Sequence, residues 1–121
     1  MLIYAGSLLV FVWGAAHLFP TRSVVRGFGS ISEDNKKVVA MEWIVEGVAL
    51  VFVSLLVGAV TVIDPTSRIS IAAYMITAAF LAVMAVVSLF TGFTIHFLPF
   101  RLCPLIFATA AVLISLGWLI I

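Results

Sequence analysis

Four long apolar stretches, set apart by short polar ones, make the pattern of this chain. The first is Leu2–Phe19, closed by Pro20. As a helix its 18 residues reach ~27 Å, against a hydrocarbon core of ~30 Å. The second, Val38–Val62, carries two carboxylates, Glu42 and Glu46, near its start. The third is Ile69–Phe93, and the fourth runs over 104–121 with Pro104 at its first helical position, where a missing N–H is harmless. Spans at 2–19, 38–62, 69–93 and 104–121 predict an all-α chain. The expected fold is a four-helix transmembrane bundle in one domain, 1–121.

The polar punctuation refines these elements. Pro20–Arg26 suits one short interfacial turn of helix. Ser30-Ile-Ser-Glu33 has the spacing of a capping box, and Glu33 and Asp34 suit the positive end of a helix dipole. The second helix is therefore expected to begin near Ser32 and run to Val62, or ~45 Å, with its first turns outside the hydrocarbon. Asp64-Pro65 breaks the chain before the third span. Gly6, Ser7, Gly14 and Ala15, then Ala78 and Ala82, then Ala111 and Ser115 offer small faces for close helix contact. Phe90, Phe93, Phe97 and Phe100 follow helical spacing and fit an interfacial aromatic belt better than a ligand-stacking site.

Composition moves the reading in one direction. The chain has 121 residues, 65% hydrophobic and 9% charged. A soluble domain is about half apolar and a quarter charged, so almost every apolar residue here must face lipid or another helix. The amino-terminal stretch lacks the basic region of a signal peptide and is expected to be retained as a span. A net charge of +1 supplies no basic surface for nucleic acid. The lone cysteine, Cys103, excludes an internal disulfide and a thiolate-cluster metal site.

Basic residues set the expected orientation. Connections 20–37 and 94–103 hold Arg22, Arg26, Lys36, Lys37 and Arg101, whereas the opposite side has only Arg68 and the amino terminus. Those two connections are expected in the cytoplasm, with both termini outside, in the inner membrane of a bacterial or archaeal cell.

This topology gathers the candidate chemistry in the cytoplasmic layer. His17 ends the first span, Glu42 and Glu46 open the second, and Thr91, Thr94 and His96 close the third. A charge at membrane depth costs ~2.5–3.5 kcal/mol on insertion scales, so it has a partner and often a task. Counting ~20 residues back from Val62 puts the hydrocarbon boundary near Trp43. Glu42 is then interfacial. Glu46, one turn deeper on the same face, should turn towards the bundle, with His17, Arg22, Thr91 and Thr94 as candidate partners. It is either a ligand- or proton-binding carboxylate or a structural pin between the first two helices. Glu42, His17, Arg22, Thr91 and His96 join Glu46 as candidates for ligand or proton binding. Against that, Glu42 is expected to be solvated or arginine-paired, His96 exposed, and Arg22 to set orientation or meet anionic lipid head groups.

Two Glu and two His invite a metal, but the chain has neither Glu-x-x-His nor His-x-x-x-His, and no metal site is expected. Cys103 is read as an ordinary interfacial cysteine. No catalytic triad order, phosphate loop or nucleotide fingerprint occurs, and the residues name no cofactor.

Gly14-Ala-Ala-His17-Leu-Phe-Pro20, at the end of a first span in a chain of four, resembles the small DoxX-like membrane proteins and other four-helix bacterial proteins. The resemblance implies an α-bundle with a site near His17, and some members of that group are associated with quinone-linked oxidation. Three functions follow. The first is an accessory or oligomerising membrane subunit without its own catalysis, in a homo-oligomer or larger complex. The second is a transporter or lipophile-binding protein that uses Glu46 on a quinone, a lipid or a hydrophobic cation. The third is a membrane enzyme with Glu46 as acid/base and His17 assisting.

Overall fold

The computed structural model describes residues 1–121 and contains five helices and no strand. They are α1 (Leu2–Leu18), α2 (Thr21–Gly27), α3 (Glu33–Ile63), α4 (Arg68–Thr91) and α5 (Leu98–Leu119). Three of them, α3, α4 and α5, are long and apolar enough to cross a membrane. A fourth is reached if α1 and α2, bent by 59° at Pro20, count as one span. The exterior agrees with an apolar solvent. Phe52, Ile76 and Val83 are each more than half exposed, a surface that water would punish by aggregation and hydrocarbon does not.

The ends of the helices follow from local chemistry. Pro20 has no N–H to continue α1, so the chain turns and α2 runs off as a separate short helix. The start of α3 departs from the expected capping box. Ser32, not Ser30, is the cap, and its hydroxyl accepts from the Asn35 amide at 3.1 Å. Glu33 is spent on Lys36, 2.7 Å away, one turn along the helix. At the other end of α3, the Thr66 amide and hydroxyl both donate to Asp64 Oδ1 at 2.9 Å. Ser67 then caps α4 by accepting from the Ser70 amide.

The fourth expected span starts six residues early. Pro99 occupies the first turn of α5, and Pro104, expected as the first residue, lies inside the helix. A proline interior to a helix removes only its own donor, here the one owed to the Phe100 carbonyl, and membrane helices tolerate that loss. The connection from α4 is therefore shorter than 94–103. The Phe90–Phe100 series is also not one helical stripe: Phe90 ends α4, Phe93 and Phe97 lie in the connection and Phe100 belongs to α5.

α1 packs between α3 and α5, α4 packs on α5, and the direct packing of α3 on α4 is the sparsest of these. Glycines set the tightest crossings. A Cβ on Gly14 would lie 2.8 Å from Leu50 Cβ and 3.0 Å from the Val51 amide nitrogen. α1 and α3 thus meet backbone to backbone, as small residues allow in membranes. Further along, the buried Ser7 hydroxyl donates to the Ser54 carbonyl at 2.6 Å. Tyr74, fully buried, donates to Thr61 Oγ1 at 2.9 Å, and Ser70 Oγ donates to the Val60 carbonyl at 3.2 Å. These bonds tie α3 to α4 beside their turn. None ties them at the far end, where α2 lies.

Two outcomes test this packing. Gly14→Ala should cost about 1–3 kcal/mol in thermal unfolding in detergent, because the added methyl meets backbone that cannot yield. Gly27→Ala, with nothing within 4 Å of its Cβ position, should stay within about 0.5 kcal/mol. At the α3/α4 turn, the bonds from Thr66 hold the Asp64 carboxyl below its usual range. A lowered folded value stabilises the turn above the ordinary aspartate pKa of about 3.9, and that stabilisation is lost as pH falls through the folded value. Hydrogen exchange at the Thr66 amide should therefore lose protection in acid, and a flat profile would contradict the turn.

Candidate functional site

The candidate residues divide into a group that meets and a group that does not. Where α1 ends, the last-turn carbonyls of His17 and Leu18 lie beyond the last regular helical bonds and need donors from elsewhere. The Trp43 indole N–H of α3 donates to the His17 carbonyl at 2.6 Å, and the Thr21 hydroxyl donates to that of Leu18 at 2.7 Å. This draws Trp43 over the imidazole. The two rings stack at 3.8 Å with 16° between their planes, and Phe100 of α5 meets the indole edge-on at 5.4 Å.

Glu46 lies one turn beyond Trp43 on α3, and its Oε2 is 3.6 Å from His17 Nε2. The His17 side chain is 6% exposed and that of Glu46 37%, so the imidazole is sealed while the carboxylate has an open side. Buried His17 Nε2 has no hydrogen-bond partner, and neither has Trp13 Nε1. At 3.6 Å the contact is too long for a hydrogen bond, so the imidazole lies beside the carboxylate without closing it off.

Glu46 opens onto a cleft of about 620 Å³ between α3 and α4, walled by α2 and the first turn of α5. Glu42 lines the same cleft, four residues away on the same helix face, with no cation within ion-pair distance. The rest of the lining is apolar, including Phe28, Phe80, Met84 and Phe100. Behind it lies a smaller cavity of about 160 Å³, bordered by Trp13, His17 and Cys103. Trp43 and Phe100 line both spaces and form the partition between them. The Cys103 thiol donates to the Pro99 carbonyl at 3.3 Å in its own helix.

The other candidates lie apart from this group. Arg22 is exposed on α2 and forms no ion pair with Glu46. The Thr91 hydroxyl is used within α4, donating to the Val87 carbonyl at 2.7 Å. Thr94 and His96 are exposed in the α4–α5 connection. Nowhere do three His, Cys, Asp or Glu side chains converge as a metal site. Sequence reasoning used Trp43 only to mark depth and missed it as the centre of the site. Its position three residues before Glu46, on a neighbouring part of the helix surface, was the available signal. Phe80, in mid-span, gave none.

Trp43→Phe keeps a ring against His17 but strands the carbonyl it served. The variant should lose about 1–3 kcal/mol of stability, the cost of a buried acceptor left without its donor. Unfolding in detergent measures this, and an unchanged midpoint would count against the bond.

Comparison with known protein families, with curated proteins and with solved structures gives no match for this chain.

Proposed function

We propose that this is an integral membrane protein that binds a lipophilic small molecule in the α3/α4 cleft. Glu46 is its protonatable or hydrogen-bonding group, and His17 is the buried partner behind it. One observation carries this reading: both carboxylates line an open apolar cleft instead of being closed off by Lys or Arg. A purely structural pin gains nothing from such an opening. A carboxylate at membrane depth with no Lys or Arg partner is expensive, which favours a use for it. The volume falls within the ~300–1,000 Å³ of small-molecule sites, and the apolar lining with few polar groups is typical of them.

In this reading the chain is a four-helix transmembrane bundle in which α1 crosses and α2 lies along the interface. Connections 20–37 and 94–103 face the cytoplasm and both termini face outwards, in the inner membrane of a bacterial or archaeal cell. The cleft then opens sideways to lipid near the cytoplasmic surface, so a ligand enters from the bilayer. A DoxX-like relationship remains a proposal supported by the Gly14–Pro20 motif.

A second reading, an accessory subunit or homo-oligomer without its own catalysis, is favoured by a shallow furrow between α4 and α5. Ala78, Ala79, Ala82 and Ala111 line it, and small residues there leave room for a helix of another chain. A single-chain mass in nanodiscs would count against the homo-oligomer.

A photoactivatable fatty alcohol dissolved in the bilayer tests the principal reading. Labelling should concentrate on cleft residues such as Ala49, Phe80 and Met84 and saturate with dose. Even labelling of all lipid-facing residues, rising linearly with dose, would contradict it.

A further inference from the structure

We infer that the occupant of the α3/α4 cleft is a lipophilic organic cation, an ammonium-type centre carrying an apolar body. The inference rests on the lipophile-binding reading above and adds the charge of the ligand.

Three independent features converge on that charge. The only ionisable side chains lining the cleft are Glu42 and Glu46, and no Lys or Arg reaches its wall. Neither carboxylate is neutralised by a fixed cation of the chain. Glu42 has no ion pair, and Glu46 has only the His17 imidazole, whose buried Nε2 faces it at 3.6 Å without completing a hydrogen bond. Aromatic side chains line the remaining wall: Phe28 just past α2, Trp43 of α3, Phe80 of α4 and Phe100 of α5. Aromatic faces attract cations through the ring quadrupole and are the recurring means of holding quaternary ammonium groups. Two carboxylates, Glu46 on the apolar side and Glu42 at the exposed rim, together with such a wall attract a cation and repel an anion of the same shape.

The alternatives fit the lining less well. A bare metal ion needs several oxygen or nitrogen ligands, and no third His, Cys, Asp or Glu joins the two carboxylates. An anionic lipid or fatty acid would bring its charge against Glu42 and Glu46 with no basic partner.

Tetraphenylphosphonium and tetraphenylborate isolate the charge, because they share size, shape and apolar surface and differ in sign. Binding of each to the full chain in nanodiscs, measured by equilibrium dialysis against protein-free nanodiscs, should be saturable for the phosphonium. It should be tighter than for the borate by at least about tenfold, as expected for two like charges within reach of the bound ion. Glu42→Gln and Glu46→Gln should each weaken phosphonium binding and narrow the gap between the two ions. Glu42 is exposed and unpaired, so its variant keeps the fold even where Glu46→Gln does not assemble. Equal affinity for both ions, or phosphonium binding unchanged in Glu42→Gln and in any folded Glu46→Gln, would overturn the cationic assignment and leave a lipophile site standing. Saturable binding of neither ion would overturn the lipophile-binding reading itself.

Discussion

The carbonyl groups at the end of α1 are the constraint on which the rest of this site depends. Pro20 stops the helix among apolar neighbours, and backbone acceptors stranded there must find donors within the protein. Thr21 serves Leu18 from the first residue of α2, and Trp43 serves His17 from across the α1/α3 crossing. That second bond is possible only because α1 and α3 approach closely, which Gly14 secures one turn away. A proline, a glycine and an indole N–H therefore fix where His17 lies, and with it which atom faces Glu46.

The same constraint shapes the cleft. α2, turned through 59° at Pro20, places Val24 and Phe28 on the cleft wall instead of continuing α1. α3 and α4 are bonded together beside their turn through Ser70, Tyr74 and Thr61, and nothing equivalent joins them near α2. The opening beside Glu46 is thus a consequence of where the helices are tied and where they are not. Function, in the reading proposed here, occupies the least tightly packed junction of the molecule, as binding regions commonly do.

Much of the helical layout was legible from hydropathy and punctuation. Pro20, Asp64-Pro65 and the Ser32 region mark breaks because each changes the backbone donor supply locally, and local chemistry is what a sequence displays. The Glu46–His17 contact was legible for a related reason: two polar groups at one depth in adjacent helices have few other partners. Pro104 misled because a proline that starts a helix and one that a helix absorbs look alike; Pro99 and the packing of α5 decide between them. Arg22 and Thr91 were grouped with Glu46 by depth alone, whereas contact also depends on azimuth around each helix. The aromatic wall from Phe28, Phe80 and Phe100 was illegible because it is assembled from α4, α5 and the residue just past α2, and depends on an opening that no local pattern encodes.

The central claim is that the end of α1 is pinned so that His17 meets Glu46 at the wall of the cleft. Solid-state NMR on the chain in lipid bilayers tests it directly, with 15N in the histidine side chains and 13C in the glutamate carboxyls. Replacing His96 by Gln leaves His17 as the only imidazole. Dipolar dephasing of the Glu46 carboxyl consistent with a 3.6 Å separation of Nε2 and Oε2 is the expected result. A Glu46 carboxyl signal untouched by the His17 nitrogens would contradict it.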